Sequence, residues 1–248
     1  MLLKMSDNKI PEQEFIDEKR MSLSEHIEEL RERSIQSLLV FLGALILCLI
    51  NIKSLVRILQ LPAKGVKFLQ LAPGEYFFTS VKIALYFAFT LSSPFLIYQI
   101  IIFIIPGLTR KERNILLPTI IISSLLFFTG ILFGYLFIIP TALKFFLKYG
   151  ADIIEPFWSF EEYFNFILLS LISTGLVFQI PILQISLGIF KIFSSQRMFS
   201  LWRYIITLAT IAAAILTPST DPLTQIILAS TILFLYFGGI LVLKFIGI

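Results

Sequence analysis

The sequence predicts an all-α membrane protein with six transmembrane helices and both termini on the cytoplasmic side or its equivalent. Hydrophobic residues make up 57% of the 248 residues, against about 45–50% in a soluble domain. They fall in long uncharged runs, and a helix needs about 20 apolar residues to cross a hydrocarbon core about 30 Å thick. Of the 20 Lys and Arg residues, 13 lie in residues 1–34, in 110–113, in 191–203 and at Lys244. By the positive-inside rule, these segments are the inner ones.

The amino-terminal segment is charged and precedes the first apolar run. Residues 1–21 are predicted to be a disordered polar tail, because they are polar and mix charges of both signs. Ser22 and Glu25 form a capping-box pattern, and apolar residues then recur at i, i+4 and i+7. This pattern predicts an amphipathic entry helix over residues 22–34, lying against the membrane or the helix bundle. It begins a single transmembrane domain over 22–245.

The apolar runs define the spans in chain order. The predicted spans cover about residues 35–52, 77–105, 116–146, 164–190, 204–216 and 223–243. The fourth span is expected to be kinked at Pro181, because proline removes a backbone donor and disturbs the preceding turn. Pro94 interrupts the second span, which in one interpretation ends there. Pro62 is placed in an outer loop with a short helix, and the fifth span is short.

Two further patterns concern packing and turns. Gly130 and Gly134 form a GxxxG pattern in the third span, which predicts a helix-packing face. Pro218 and Asp221 lie in "TPSTDP" between the last two spans, with Pro222 at the first position of span six. This segment is predicted to be a hairpin turn in which Asp221 or its neighbour caps that span.

The sequence does not favour catalysis or metal binding. His26 is the single histidine, so a His-rich metal site is excluded, and there is no HExxH, GxSxG or P-loop pattern. The lone Cys48 cannot form an internal disulfide. The net charge of +4 is interpreted as topology signals between spans and not as a nucleic-acid surface. We therefore expect a protein that is not an enzyme and needs no cofactor.

Three polar groups remain candidates for function. The stretch from Glu28 to Arg33 is either a solvated helix face, with Glu29 and Arg33 paired at i,i+4, or a carboxylate site for a cationic partner. Glu112 in "TRKER" is either part of a topology-setting loop or a second such carboxylate. Gln179 lies beside Pro181 near mid-membrane, where a polar group is typical of helix pairing or of function.

Five motifs in the right order resemble those of the TatC family, the receptor subunits of the twin-arginine protein translocase. They are "HIEELRER", "SSPFLIYQIIIFIIPGLTRKER", "FGYLFIIPTALKFF", "VFQIP" and "LTPSTDPLTQ". The resemblance implies binding of signal peptides with two consecutive arginines and transport of folded proteins driven by the proton-motive force. It also implies single-span partner subunits of the TatA/TatB type and a homo-oligomer within the receptor complex.

The resemblance assigns roles to individual residues. Glu29, Arg31, Phe103 and Glu112 match signal-peptide-binding positions. Gln179, Asp221 and Gln225 match positions implied to contact partner subunits. One departure is Phe237 in "FLYFGG", where family members often carry a glutamate.

The stretch "LAPGEYFFTSVKIA" looks like the plastid and cyanobacterial branch of the family. We expect a plastid thylakoid protein, with a bacterial inner membrane as the alternative. The rival function is a secondary transporter that uses Gln179, Gln184 and Asp221 along a solute path.

Overall fold

The computed structural model of the protein describes residues 23–104, 110–149, 157–218 and 221–246, with side chains over 24–103, 118–149, 157–218 and 221–246. The predicted tail, 1–21, lies outside these residues. The helices are α1 (Leu23–Ile50), α2 (Ile52–Gln60), α3 (Glu75–Ile104), α4 (Arg110–Phe133), α5 (Ile139–Tyr149), α6 (Phe160–Val177), α7 (Ile180–Ile189), α8 (Ser195–Ser200), α9 (Trp202–Leu216) and α10 (Pro222–Ile246). The other elements are a 3-10 turn (Leu61–Ala63), a π-helical segment (Gly134–Ile138), and strands β1 (Lys67–Leu69) and β2 (Phe157–Ser159).

The protein is a mostly helical, multi-pass membrane protein. Among the described residues, five stretches are long and apolar enough to cross a membrane: Ser24–Ile50, Glu75–Phe103, Pro118–Tyr149, Phe160–Ile189 and Pro222–Ile246. The predicted short fifth span corresponds to α9, which has 15 residues. At 1.5 Å per residue that is about 22 Å of helix, shorter than a hydrocarbon core of about 30 Å.

The entry helix and the first apolar run form one unbroken helix, α1. His26, Glu29 and Arg33 are half-buried towards the rest of the protein. Ile27, by contrast, is 66% exposed. In the entry helix these three polar side chains therefore face the bundle, while the apolar side chain of Ile27 faces outward.

Pro94 does not interrupt the helix of the second span, because α3 runs unbroken from Glu75 to Ile104. Proline cannot donate to the carbonyl four residues earlier, which belongs to Thr90. The hydroxyl of Ser93 donates to that carbonyl at 2.8 Å, and the hydroxyl of Ser92 donates to the carbonyl of Phe89 at 3.2 Å. A side-chain donor thus satisfies the carbonyl that the proline leaves free, as an apolar environment requires.

The third span contains one wide turn, the π-helical segment, directly before Pro140. Gly130 and Gly134 lie where this span meets α6. A Cβ atom added at Gly130 would come within 2.7 Å of the carbonyl oxygen of Thr174 and within 2.9 Å of the Cβ of Phe178. One added at Gly134 would collide with the Thr174 hydroxyl. The two glycines let the helix backbones approach closely, as small residues do in membrane bundles.

The fourth span is divided into α6 and α7 at Phe178 and Gln179. Pro181 lacks the N–H that would bond to the carbonyl of Val177. The N–H of Gln179 instead donates to the carbonyl of Leu176 at 3.0 Å, an i,i+3 bond that tightens the chain before α7 begins.

The end of the bundle opposite the start of α1 is closed by α2, the 3-10 turn and the two strands. Pro62 is half-buried in the 3-10 turn. The strands pair in parallel, with Lys67 opposite Phe157. The all-α prediction missed these strands, because three residues are too few to show an alternating pattern. The largest buried apolar cluster lies here and includes Val56, Leu59, Ile83, Tyr86, Ile139, Leu143, Tyr163, Phe164 and Ile167.

Candidate functional site

Four glutamates line one cleft at the start of α1. The cleft has a volume of about 450 Å³ and is lined by Glu25, Glu28, Glu29, Glu32, Arg33 and Gln36. Spacings of three and four residues make these side chains neighbours on the helix surface. Four carboxylates against one guanidinium leave the cleft with excess negative charge. It therefore favours a cationic ligand.

Glu29 is held by a chain of polar side chains that joins α1 to α3. The Nε and Nη2 atoms of Arg33 both donate to Glu29 Oε1, with Nε at 3.0 Å. Arg33 Nη1 donates to Gln99 Oε1 at 3.0 Å, and Gln99 Nε2 donates to Gln36 Oε1 at 2.8 Å. The i,i+4 pair expected from the sequence is therefore present, and it fixes one oxygen of the carboxylate.

The second oxygen of Glu29 has no such bond to the described residues. Glu29 Oε2 is buried, and within the described part of the chain no hydrogen-bond donor reaches it. The Nδ1 atom of the His26 imidazole lies 3.7 Å from Oε2. A buried carboxylate oxygen without a donor is costly to leave unmatched, so the site is ready to accept a donor from a ligand.

His26 links Phe103 to this carboxylate, because its imidazole lies next to Glu29 and also contacts the Phe103 ring. The imidazole ring stacks on the Phe103 ring with centroids 4.2 Å apart and planes 12° from parallel. Phe103 also lines a second, mostly apolar cleft of about 570 Å³ between α1 and α3, with Leu30, Arg33, Ser34, Ser37, Leu38, Phe41, Leu96, Gln99 and Ile100. Arg33 borders both clefts. The structure thus joins a charged pocket to an apolar one.

Arg31 is not part of this arrangement. Its guanidinium donates to Glu28 at 2.9 Å, and the two side chains are 69% and 58% exposed. Residues two apart lie on different sides of a helix, so Arg31 points away from Glu29. Glu112 falls in the first turn of α4, but its side chain lies outside the described residues. Glu29 and Phe103 are therefore the two predicted peptide-binding residues that the structure brings together.

His26 and Gln99 were not predicted from the sequence as residues of this site. His26 precedes Glu29 by three residues, and this spacing alone could have placed it beside the carboxylate. Gln99 is a buried amide in an otherwise apolar stretch of α3, where a polar side chain marks a paired or functional position. No sequence signal links it to Arg33.

Gln179 is paired within the chain. The hydroxyl of Ser123 on α4 donates to Gln179 Oε1, and Gln179 Nε2 donates to the carbonyl of Ser123 at 3.1 Å. Both polar ends of the amide therefore bridge α4 and the break between α6 and α7. Hydrogen bonds between membrane helices contribute about 0.6 kcal/mol each on average.

Gln179→Leu is expected to lower the unfolding free energy of the purified protein by about 1 kcal/mol, since it removes two such bonds. Thermal unfolding in detergent, followed by circular dichroism, measures the loss. Ser123→Ala is the matched partner variant, and the double variant should be no less stable than Gln179→Leu alone. Strictly additive losses would contradict the pairing.

Asp221 and Gln225 lie at the start of α10. The Asp221 carboxylate is 1% exposed and accepts hydrogen bonds from the Thr224 N–H at 2.8 Å and the Thr224 hydroxyl at 2.6 Å. Asp221 therefore caps α10, with Pro222 at the first helical position, as the turn pattern predicted. Gln225 is half-buried one turn later, and Pro218 follows the end of α9.

Phe237 on α10 occupies apolar surroundings. It is half-buried, packs on the cluster that contains Ile185 and Ile240, and has its ring 6.5 Å from that of Phe199. The amide of Gln184 on α7 reaches the same helix and donates to the carbonyl of Tyr236 at 3.2 Å.

Comparisons with known proteins identify the family to which this fold and sequence are similar. A family model described as Sec-independent protein translocase protein (TatC) matches residues 25–230. The Sec-independent protein translocase protein TatC of Synechocystis sp. is 53% identical over 93% of this chain and 91% of its own length. The chloroplastic TATC of Pisum sativum is 49% identical over 93% of this chain and 66% of its own length.

A crystal structure of the twin-arginine translocase receptor TatC in DDM has the same fold. It matches with a TM-score of 0.78 at 33% identity and covers 88% of this chain and 99% of the solved chain. Because the family model spans most of the residues and these relatives align along nearly the whole sequence, the chain belongs to the TatC family of Sec-independent protein translocase proteins.

Proposed function

We propose that the protein is the receptor subunit of a twin-arginine translocase and binds signal peptides through their paired arginines at the acidic cleft. The observation that carries this proposal is the buried Glu29 Oε2, which has no donor among the described residues. Arginine presents several N–H donors in a planar fork that matches a carboxylate, and lysine does not reproduce that geometry. The adjoining apolar cleft at Phe103 suits an apolar stretch of the same peptide.

Arg33 and a peptide arginine can bind Glu29 at the same time, because they use different oxygens of its carboxylate. Arg33 bonds to Glu29 Oε1 and is tied back to α3 through Gln99. A peptide arginine therefore has Oε2 as its acceptor. The second peptide arginine is assigned to Glu112, which the family resemblance matches to the same function.

The number of spans and the side of the termini are also part of the proposal. The five long apolar stretches and α9 form six spans, with a kink at Pro181 and both termini on the cytoplasmic or stromal side. The acidic cleft then faces the compartment in which precursors are made. The relatives support a plastid thylakoid membrane or a bacterial inner membrane, and we propose the thylakoid.

The remaining predicted residues are proposed to contact partner subunits. Single-span subunits of the TatA/TatB type are assigned to a surface near Gln179, Asp221 and Gln225, and copies of the receptor associate in the complex. Gln179 bonds to Ser123 and Asp221 caps α10, whereas within the described ranges the side chain of Gln225 forms no hydrogen bond and can bond to a partner. The secondary-transporter alternative is not supported, because the family matches are to translocase proteins. No catalytic chemistry is proposed.

Binding of a twin-arginine peptide to the purified protein tests the proposal. We expect saturable binding, and changing Arg-Arg to Lys-Lys in the peptide should weaken it at least about tenfold, the value of one lost charged hydrogen bond. Fluorescence anisotropy of a labelled peptide measures the affinity. Equal affinity for both peptides would mean that the cleft attracts positive charge without recognising guanidinium groups, and the receptor proposal would be wrong.

A further inference from the structure

The segment between the first two spans, residues 51–74, carries positive charge alone. It contains Lys53, Arg57, Lys64 and Lys67 and has no Asp or Glu. α1 leads from the acidic cleft to this segment, so it lies at the opposite end of the bundle. Positive charge at that end is opposite to the positive-inside pattern. The receptor function gives the segment no role.

The four basic side chains have no carboxylate partner among the residues that the structure describes. All four are exposed, and within the described ranges none of them forms an ion pair. Lys82, at the same end, bonds to Glu161. Glu75, the first carboxylate after the segment, is buried and accepts hydrogen bonds from the N–H groups of Leu71, Ala72 and Glu161. That carboxylate is therefore engaged elsewhere, and within the described ranges the charge of the segment is not neutralised.

The bundle holds α2, the helix that carries two of these cations, in a fixed place. Val56 and Leu59 bury the inner face of α2. The hydroxyls of Tyr135 and Tyr163 donate to backbone carbonyls of its last turn at 2.8 Å each. The two basic side chains of α2 are four residues apart, so they lie one turn apart on its outer face. A ligand thus meets two cations that project from one face of a helix whose position is fixed.

Exposed apolar side chains lie among the cations. Ile58 and Leu61 are each 47% exposed on and beside the outer face of α2. On β1, Lys67 and Leu69 are exposed while the residue between them is turned inward, and the strand partner Phe157 is 50% exposed. An acidic protein would match the cations and leave these apolar groups unmatched. A lipid surface matches both, because apolar groups enter the acyl boundary while Lys and Arg reach the phosphates.

We propose that the basic segment 51–74 binds the headgroups of anionic lipids in the leaflet opposite the acidic cleft. The segment cannot leave the membrane surface, because the span Ser24–Ile50 ends just before it and the span Glu75–Phe103 begins just after it. Basic residues beside a span are attracted to anionic headgroups, and each contributes about fivefold in affinity. The lipid fixes the depth and tilt of α2. This inference depends on the membrane-spanning architecture and is independent of signal-peptide binding.

The test measures thermal unfolding of the purified chain in neutral detergent as phosphatidylglycerol or phosphatidylcholine is added. Phosphatidylglycerol should raise the melting temperature more, and high salt should remove the difference. The double variant Lys53→Gln, Arg57→Gln should need about 25-fold more phosphatidylglycerol for the same shift. The charge-preserving double variant Lys53→Arg, Arg57→Lys is the matched control and should behave as the unaltered protein does.

Four results would overturn the proposal. They are an equal shift with both lipids, an unchanged response of the glutamine variant, an equal shift with inorganic phosphate, or tighter binding of polyglutamate than of phosphatidylglycerol. The last would assign the segment to an acidic protein. Should the glutamine variant be unstable, the lipid comparison on the unaltered protein still decides. Binding of the twin-arginine peptide should be the same in both double variants, which separates this inference from the receptor proposal.

Discussion

Glu29→Gln is expected to weaken binding of a twin-arginine signal peptide by about 10- to 150-fold, equivalent to a charged hydrogen bond of about 1.5–3 kcal/mol. The amide has nearly the same shape as the carboxylate but lacks its charge, and it adds donors where an acceptor is needed. The buried Oε2, which is free of donors in the described residues, is the atom that the substitution removes. Peptide titration of the purified protein, monitored by anisotropy or calorimetry, measures the effect.

Glu28→Gln is the matched control for this prediction. Glu28 lines the same cleft and undergoes the same change of charge. Its carboxylate, however, is 58% exposed and pairs with the exposed Arg31. Solvent-exposed ion pairs contribute about 0–1 kcal/mol, so this variant should lose at most about fivefold in affinity. Equal losses in the two variants would show that the cleft acts through its total charge, and unchanged binding in Glu29→Gln would remove Glu29 from the site.

Loss of Glu29 also leaves Arg33 without its carboxylate partner. Arg33 is 22% exposed and still bonds to Gln99, so some destabilisation is expected in addition to the loss of binding. Thermal unfolding of the variant separates the two effects. A variant that melts normally and fails to bind the peptide supports a direct contact.

Gly130→Ala is expected to destabilise the protein by about 1–3 kcal/mol, the usual effect of overpacking a close contact. The added methyl group would meet the Thr174 carbonyl oxygen at 2.7 Å and the Phe178 Cβ at 2.9 Å. Neither atom is the end of a flexible side chain, so the helices must separate. For a chain of this length, about 2–4 °C per kcal/mol gives a fall of several degrees in melting temperature.

Gly43→Ala and Gly238→Ala are the controls for Gly130→Ala. Both glycines lie inside helices, and nothing stands within 4 Å of an added Cβ atom. Alanine is the better helix former by about 0.8–1.0 kcal/mol, so these variants should melt at the same temperature or higher. If all three variants melt alike, the close contact between α4 and α6 does not limit stability.

The membrane-spanning pattern could be predicted from the sequence, because it depends on local properties. Span length follows from counting apolar residues, so the short α9 was recognisable without a structure. The break between α6 and α7 follows from the N–H that Pro181 lacks, and the cap at Asp221 follows from residue order around Pro222. The pair between Glu29 and Arg33 also followed from their spacing. Each of these inferences uses residues within one or two helical turns.

The tertiary structure decided the features that join distant parts of the chain. The continuity of α3 at Pro94 required the position of the Ser93 hydroxyl, because the same sequence is compatible with a break. The short strands form because their two segments meet at one end of the bundle. In the candidate site, Arg33 contacts Gln99 across 66 residues of sequence, and His26 lies on Phe103. Local spacing does not encode such contacts, so only the packing of α1 on α3 showed which oxygen of Glu29 remains for a ligand.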